Sequence, residues 1–111
     1  MAEKLENTQW QTFFDRVSKG LGARQVEIEV AGLDLGDEVE AEWVPLTGIT
    51  YDPKDDVLTI ITDRLDHMIR SPREIYVETS VDGLHSLEVI DAEGHRQIAV
   101  LRPDLALPPP G

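Results

Sequence analysis

The chain contains no cysteine, which excludes a disulfide framework, a thiolate metal site and a cysteine nucleophile, so the core has to stand on packing alone. Lysine is almost as scarce, with only Lys4, Lys19 and Lys54, and the arginines are scattered. Binding nucleic acid requires clustered cations that displace counterions from phosphates. Neither DNA nor RNA is therefore expected as a ligand. Nowhere do about eighteen apolar residues follow one another. The opening MAEKLENTQW places acids before any apolar run. Neither a signal peptide nor a membrane span is expected, no membrane is expected as a partner, and a cytoplasmic location is the default.

What is present in excess is negative charge. Twenty-two acids stand against ten Lys and Arg, a formal net charge of −12, and the acids run through both halves of the chain. Such a surface keeps a protein dispersed and repels phosphate, and it attracts basic partners. With 111 residues, 41% of them hydrophobic, the chain has enough for one core and too few residues for two. One folded domain is expected over residues 8–103, with a disordered N-terminus at 1–7 and a Pro-rich tail at 104–111.

Asn7 and Thr8 are good N-cap residues, Thr8-x-x-Gln11 fits a capping box, and Trp10, Phe13, Phe14 and Val17 follow at i, i+3, i+4, i+7. This spacing predicts an amphipathic helix over about 8–19, ended by Gly20 or Gly22 as a left-handed cap. From Gln25 the period becomes two. Val26, Ile28 and Val30 alternate with Glu27 and Glu29, and Val39, Ala41 and Trp43 alternate with Glu38, Glu40 and Glu42. A hairpin with its acids on one outward face is expected, the loop 31–36 joining its strands and Pro45 closing the second. A short strand at Gly48–Tyr51 and a turn at 52–56 precede Val57–Thr62, which is apolar on both faces. Residues 63–72 show neither period and read as a loop or helical turn packed by Leu65, Met68 and Ile69. Three strands then form a meander over 74–80, 84–91 and 95–102, with turns at Asp82-Gly83 and Glu93-Gly94.

The expected fold class is α+β, an N-terminal amphipathic helix packed on a strongly bent antiparallel sheet or partly open barrel of about seven strands. The expected core is Trp10, Phe13, Phe14, Val17, Val26, Ile28, Ile60, Val77, Leu87, Val89 and Val100. Val57–Thr62 and Gln97–Leu101 both need cover on the side away from the helix. Either the first hairpin folds over as a second layer or a second copy of the chain supplies it.

Motifs for chemistry are mostly missing. There is no phosphate loop, no dinucleotide fingerprint and no nucleophile elbow, so no cofactor and no catalytic residue is assigned. Among the three histidines only His67 has local carboxylates, in Asp63-Arg64-Leu65-Asp66-His67. These could line a binding pocket, although no spaced His pair supports a metal and none is assigned. Asp63 could equally cap a turn. His85 lies in phase with Leu87 and Val89, near the end of the inward face or satisfied at its rim. The other candidate is the acidic row Glu38, Glu40 and Glu42, facing Glu27 and Glu29 if the hairpin pairs in register. Like charges set opposite each other destabilise a sheet, and a basic partner, a divalent cation, bridging arginines or solvation would relieve them.

Four segments taken together have a family likeness: Trp10-x-x-Phe13-Phe14, Val26-Glu27-Ile28-Glu29-Val30, Leu46-x-Gly48-Ile49, and Asp91-x-Glu93-Gly94 before a strand ending in Leu101-Arg102. In these the chain resembles a bacterial family of uncharacterised small proteins, the domain of unknown function 5335. The resemblance implies a stand-alone bacterial domain of about this length and carries over no catalytic residue. The expectation for function is a small, non-catalytic, acidic interaction or accessory domain whose partner is another protein or a second copy of itself. The alternative is a small-molecule binder or enzyme with a pocket near Asp63, Asp66 and His67.

Overall fold

The computed structural model describes residues 2–32, 36–81 and 83–103. The expected loop at 33–35, the turn residue Asp82 and the tail 104–111 lie outside the described residues. In chain order the elements are β1 (Glu3–Lys4), a 3-10 turn (Asn7–Gln9), α1 (Trp10–Lys19), β2 (Arg24–Gly32), β3 (Gly36–Asp52), β4 (Val57–Thr62), β5 (Asp66–Arg70), β6 (Pro72–Ser80), β7 (Gly83–Asp91) and β8 (Arg96–Pro103). The strands form one antiparallel sheet in the order β1-β6-β7-β8-β2-β3-β4-β5, curled into a half-barrel with the short helix packed on it. Eight strands replace the expected seven or so.

The differences from expectation have local causes. Residues 3 and 4, within the expected N-terminal segment 1–7, form a short strand that pairs with Val77 and Tyr76 on the edge of β6. Pro45 does not end a strand. It lies within β3 opposite Gln25, at the point where β3 leaves β2 and takes β4 as its partner from Leu46 onward. A residue without an N–H is tolerated where the ladder changes sides. Residues 66–70 form a strand, with Ile69 buried and Met68 exposed. The period was hidden because the inward positions of this strand are filled by His67 and Ile69, one of them polar.

After Pro45 the edge of β3 that faced β2 is bare, and α1 covers it. The Ser18 hydroxyl donates to the Ile49 carbonyl at 2.7 Å and accepts from the Ile49 N–H at 2.9 Å. It thereby satisfies both edge groups of one strand residue, as a neighbouring strand would. Gly48 lies beside this contact, where a Cβ would stand 3.4 Å from Ser18 Oγ, at the edge of ordinary van der Waals distance. Trp10 and Phe14 descend from the same helix into the core, Trp10 meeting Tyr51 edge-on with ring centroids 5.1 Å apart. The helix is entered through a Gln9 side chain that accepts from the Glu6 N–H, in place of the expected Thr8–Gln11 box. Gly22, at φ +63°, takes the left-handed conformation after the helix.

The concave side holds one continuous core, including Phe14, Val26, Ile28, Ile49, Leu58, Ile60, Ile69, Ile75, Leu87 and Val89. Phe13 and Val17 pack against it half-buried. Val100 is a correction. It is 38% exposed on the convex side, and its strand turns Gln97, Ala99 and Leu101 inward instead.

Candidate functional site

The strand character of 66–70 decides the fate of the cluster Asp63, Asp66 and His67. Successive strand residues point to opposite faces, so Asp66 is exposed on the convex side while His67 turns inward and is half-buried. Asp63 stands exposed in the turn between β4 and β5. That turn is organised not by Asp63 but by Thr62, whose buried hydroxyl donates to the Leu65 carbonyl and accepts from the N–H groups of Arg64 and Leu65. The three residues do not converge.

His67 joins a different group. Its Nε2 lies 2.6 Å from Gln97 Oε1, and Gln97 Nε2 donates to Asp91 Oδ2 at 2.9 Å. Because the Gln97 amide presents its N–H to Asp91, its oxygen is left as acceptor and His67 Nε2 must carry the proton. Asp91 Oδ1 accepts the N–H groups of Glu93 and His95, and the His95 ring stands 3.8 Å from Oδ2. Gln97 and Asp91 are both buried. The relay ties β5 to β8, strands that are not neighbours in the ladder, across the interior of the half-barrel. The backbone reinforces it nearby: Ser71 N–H donates to the Asp56 carbonyl and the Ser71 carbonyl accepts from Ala92 N–H. The carboxylate accepts from three N–H groups, and its arrangement is that of a closure device. Sequence reasoning missed Gln97 because a strand apolar on both faces does not announce which side is inward.

The acidic hairpin also differs from its expected geometry. Glu29 pairs with Val39, Ile28 with Ala41 and Val26 with Val44. Glu40 is the extra residue of one bulge, and a second falls at Glu42–Trp43, where Trp43 adopts φ +48°. Glu38 sits opposite Val30 on the other face. The bulges break the row of opposed like charges. They also turn Val39 onto the convex side beside Glu29, where it is 54% exposed.

Across the convex face a row runs Val39, Glu29, Ile98, Glu88, Tyr76, Lys4, and beside it another runs Glu27, Val100, Ser86, Glu78. Towards β6 the acids are matched. Glu88 takes two guanidinium N–H groups of Arg96, and Glu74 takes Lys4 and the Tyr76 hydroxyl. The hydrogen bond from Tyr76 pulls the Glu74 carboxyl below its ordinary range. Towards β3 the acids are not matched: among the described residues Glu27, Glu29, Glu40 and Glu42 have no cation within ion-pair distance, nor has Glu38 on the other face. The exposed Val39 and Val100 and the half-buried Ile98 lie among them. The Arg102 guanidinium borders this region, stacked 3.9 Å from the centre of the Trp43 ring and held by Gln25 Oε1.

No solved structure matches the chain, and no helix among the described residues is long and apolar enough to cross a membrane. An uncharacterised protein of Aquifex aeolicus (strain VF5) is 44% identical over 110 residues, which cover 97% of this chain and 99% of that protein. The model of the Family of unknown function (DUF5335) matches residues 1–110. Match and identity extend over essentially the whole length, so the half-barrel, its helix and its acidic face are those of a family member: the chain belongs to the Family of unknown function (DUF5335).

Proposed function

We propose that this domain is a non-catalytic interaction module that receives a basic polypeptide segment on the convex face of β8, β2 and β3. The observation that carries the proposal is the set of unmatched carboxylates around open apolar side chains, with Glu27 and Glu29 flanking Val39, Ile98 and Val100. A segment alternating Lys or Arg with aliphatic residues would place cations on the glutamates and apolar groups on the valines and Ile98, each apolar side chain buried contributing on the order of 1.5–3 kcal/mol. Charge complementarity would supply the choice of partner and a fast encounter. The same charges disfavour duplex DNA and anionic membranes.

Trp43 sits at the border of the face and serves as a reporter. A fluorescein-labelled peptide alternating lysine and valine should bind saturably, and its glutamate–valine counterpart should not. Replacing Glu27 and Glu29 by Gln should weaken the lysine peptide by about tenfold, the effect of one to two lost charge pairs at a partly desolvated surface. Equal affinity for both peptides, or for wild type and the double variant, would remove the proposal. A mass that doubles with concentration by sedimentation, abolished by Val100→Glu, would instead assign the face to a second copy of the chain.

A further inference from the structure

One edge of the sheet is left open. The strand order ends on β5, whose register with β4 runs unbroken from Asp66 to Arg70. The bonds at the two ends of this pair fix which way its backbone faces. Thr62 N–H donates to the Leu65 carbonyl and Ser71 N–H to the Asp56 carbonyl, so residues 67 and 69, in step with them, turn their polar groups towards β4. In an antiparallel ladder the residues between turn the other way. The N–H and C=O groups of Asp66, Met68 and Arg70 therefore point outward, and no bond among the described residues takes them.

Elsewhere the chain covers such edges. Ser18 satisfies the bare edge of β3 at Ile49, and β1 with the Leu5 N–H covers β6 at 75–77. Exposed edges are ordinarily kept from pairing by proline, lysine or a bulge. None of these interrupts β5, and the two charges that it carries outward are of opposite sign.

We infer that β5 pairs antiparallel with β5 of a second copy of the chain, about a twofold axis at Met68. The side chains select this partner. Asp66, Met68 and Arg70 are exposed on the convex side, Met68 to 49%, while His67 and Ile69 turn inward. Asp66 and Arg70 stand two residues to either side of Met68. An antiparallel copy therefore sets Asp66 opposite the partner's Arg70 and Arg70 opposite the partner's Asp66, with the two methionines in contact between them. Opposite charges directly across a ladder attract and like charges repel. Neither Asp66 nor Arg70 has an ion-pair partner among the described residues. The same register joins the outward backbone groups of 66, 68 and 70 into hydrogen-bonded pairs, two bonds in each. A register slipped by two residues, or a parallel copy, loses both charge pairs. The contact is isologous and closes on itself, the commonest arrangement of soluble oligomers. It is also small, so the dimer is a weak, exchanging one.

Sedimentation equilibrium of the intact chain at about 0.15 M salt tests this, since screening over about 8 Å mutes the repulsion between two copies, each of net charge −12. The mass should rise from one chain towards two as the concentration approaches about 1 mM. The amides of Asp66, Met68 and Arg70 should gain protection from exchange over the same range. Asp66→Arg and Arg70→Asp should each weaken association by about tenfold, because both cross-strand pairs turn repulsive. Mixed in equal amounts, the two variants should associate again, each supplying the charge that the other lacks. Damage to the fold would not be rescued in this way. Met68→Pro removes an N–H that the ladder with β4 does not use and should abolish association, with circular dichroism reporting the fold. Where that variant fails to fold, the mixed pair decides alone. Val100→Glu should leave association unchanged, which separates this edge from the acidic face. A mass fixed at one chain up to about 1 mM overturns the inference, as does a dimer that Val100→Glu abolishes or a failure of the mixed variants to pair.

Discussion

Replacing Gln97 by Leu removes the side chain that ties the edge strand β5 to the central strand β8 across the interior, while nearly preserving its volume. The wild-type amide makes two bonds there: a donor bond to the Asp91 carboxylate at 2.9 Å and an acceptor bond from His67 at 2.6 Å. A hydrogen bond to a charged group is worth about 1.5–3 kcal/mol and a neutral one about 0.5–1.5 kcal/mol. Asp91 keeps its two backbone donors on Oδ1, and His67 is only half-buried and can turn towards water. The lower half of the summed range applies, and the expected loss is about 2–3 kcal/mol. For a domain of this size that lowers the melting temperature by roughly 8–15 °C. Urea unfolding followed by circular dichroism measures the loss, and the m-value should stay fixed because the same surface is exposed. A double-mutant cycle with His67→Leu should return a coupling of about 1 kcal/mol, isolating the His67–Gln97 bond from the Asp91 term. Amide exchange should accelerate most in β5, the strand that the relay ties down. A destabilisation under about 0.5 kcal/mol, or a coupling of zero, would refute the view that this relay closes the half-barrel.

Three further outcomes follow from single contacts. Ser18→Ala leaves the N–H and carbonyl of Ile49 without their partners and should cost about 1–3 kcal/mol by chemical denaturation. Phe14→Ala empties a fully buried position and should cost about 3–5 kcal/mol, readable in the same experiment; a loss under about 1 kcal/mol would mean the helix does not seat where described. Both tyrosines should ionise above the ordinary value of 10 in an absorbance titration at the tyrosinate band. Burial, then the bond to Asp56, pushes Tyr51 up to about 12, and the bond to Glu74 raises Tyr76. Since folding favours the neutral form of Tyr51, its contribution to stability is complete below pH 10 and is lost as the pH rises towards 12. Tyr51→Phe should abolish the higher step and flatten that alkaline loss.

The sequence is most informative where one physical signal acts alone. The helix shows itself because Trp10, Phe13, Phe14 and Val17 share one face, and the β6–β7–β8 meander because its turns carry Gly83 and Gly94, both at positive φ. Legibility fails where a tertiary partner overrides the local pattern. In β3 the alternation of Val39, Ala41 and Trp43 is regular, yet the two bulges against β2 shift it and leave Val39 outside. In β8 the inward position is taken by Gln97 rather than Ile98 or Val100, and the polar choice becomes intelligible only with His67 and Asp91 in place around it. The candidate site depends on the same irregularities. The acidic face exists because bulges mix valines with glutamates that a regular hairpin would have separated. Arg102 of β8 reaches across β2 to stack on Trp43, which is carried on a bulge of β3. A bulge is set by the pairing of two strands, so no one-strand reading of period could place this face. The acidic face therefore makes a structural demand: removing one residue of the Glu42–Trp43 bulge should alter lysine-peptide binding there, because Trp43 and the Arg102 stacked on it border that face.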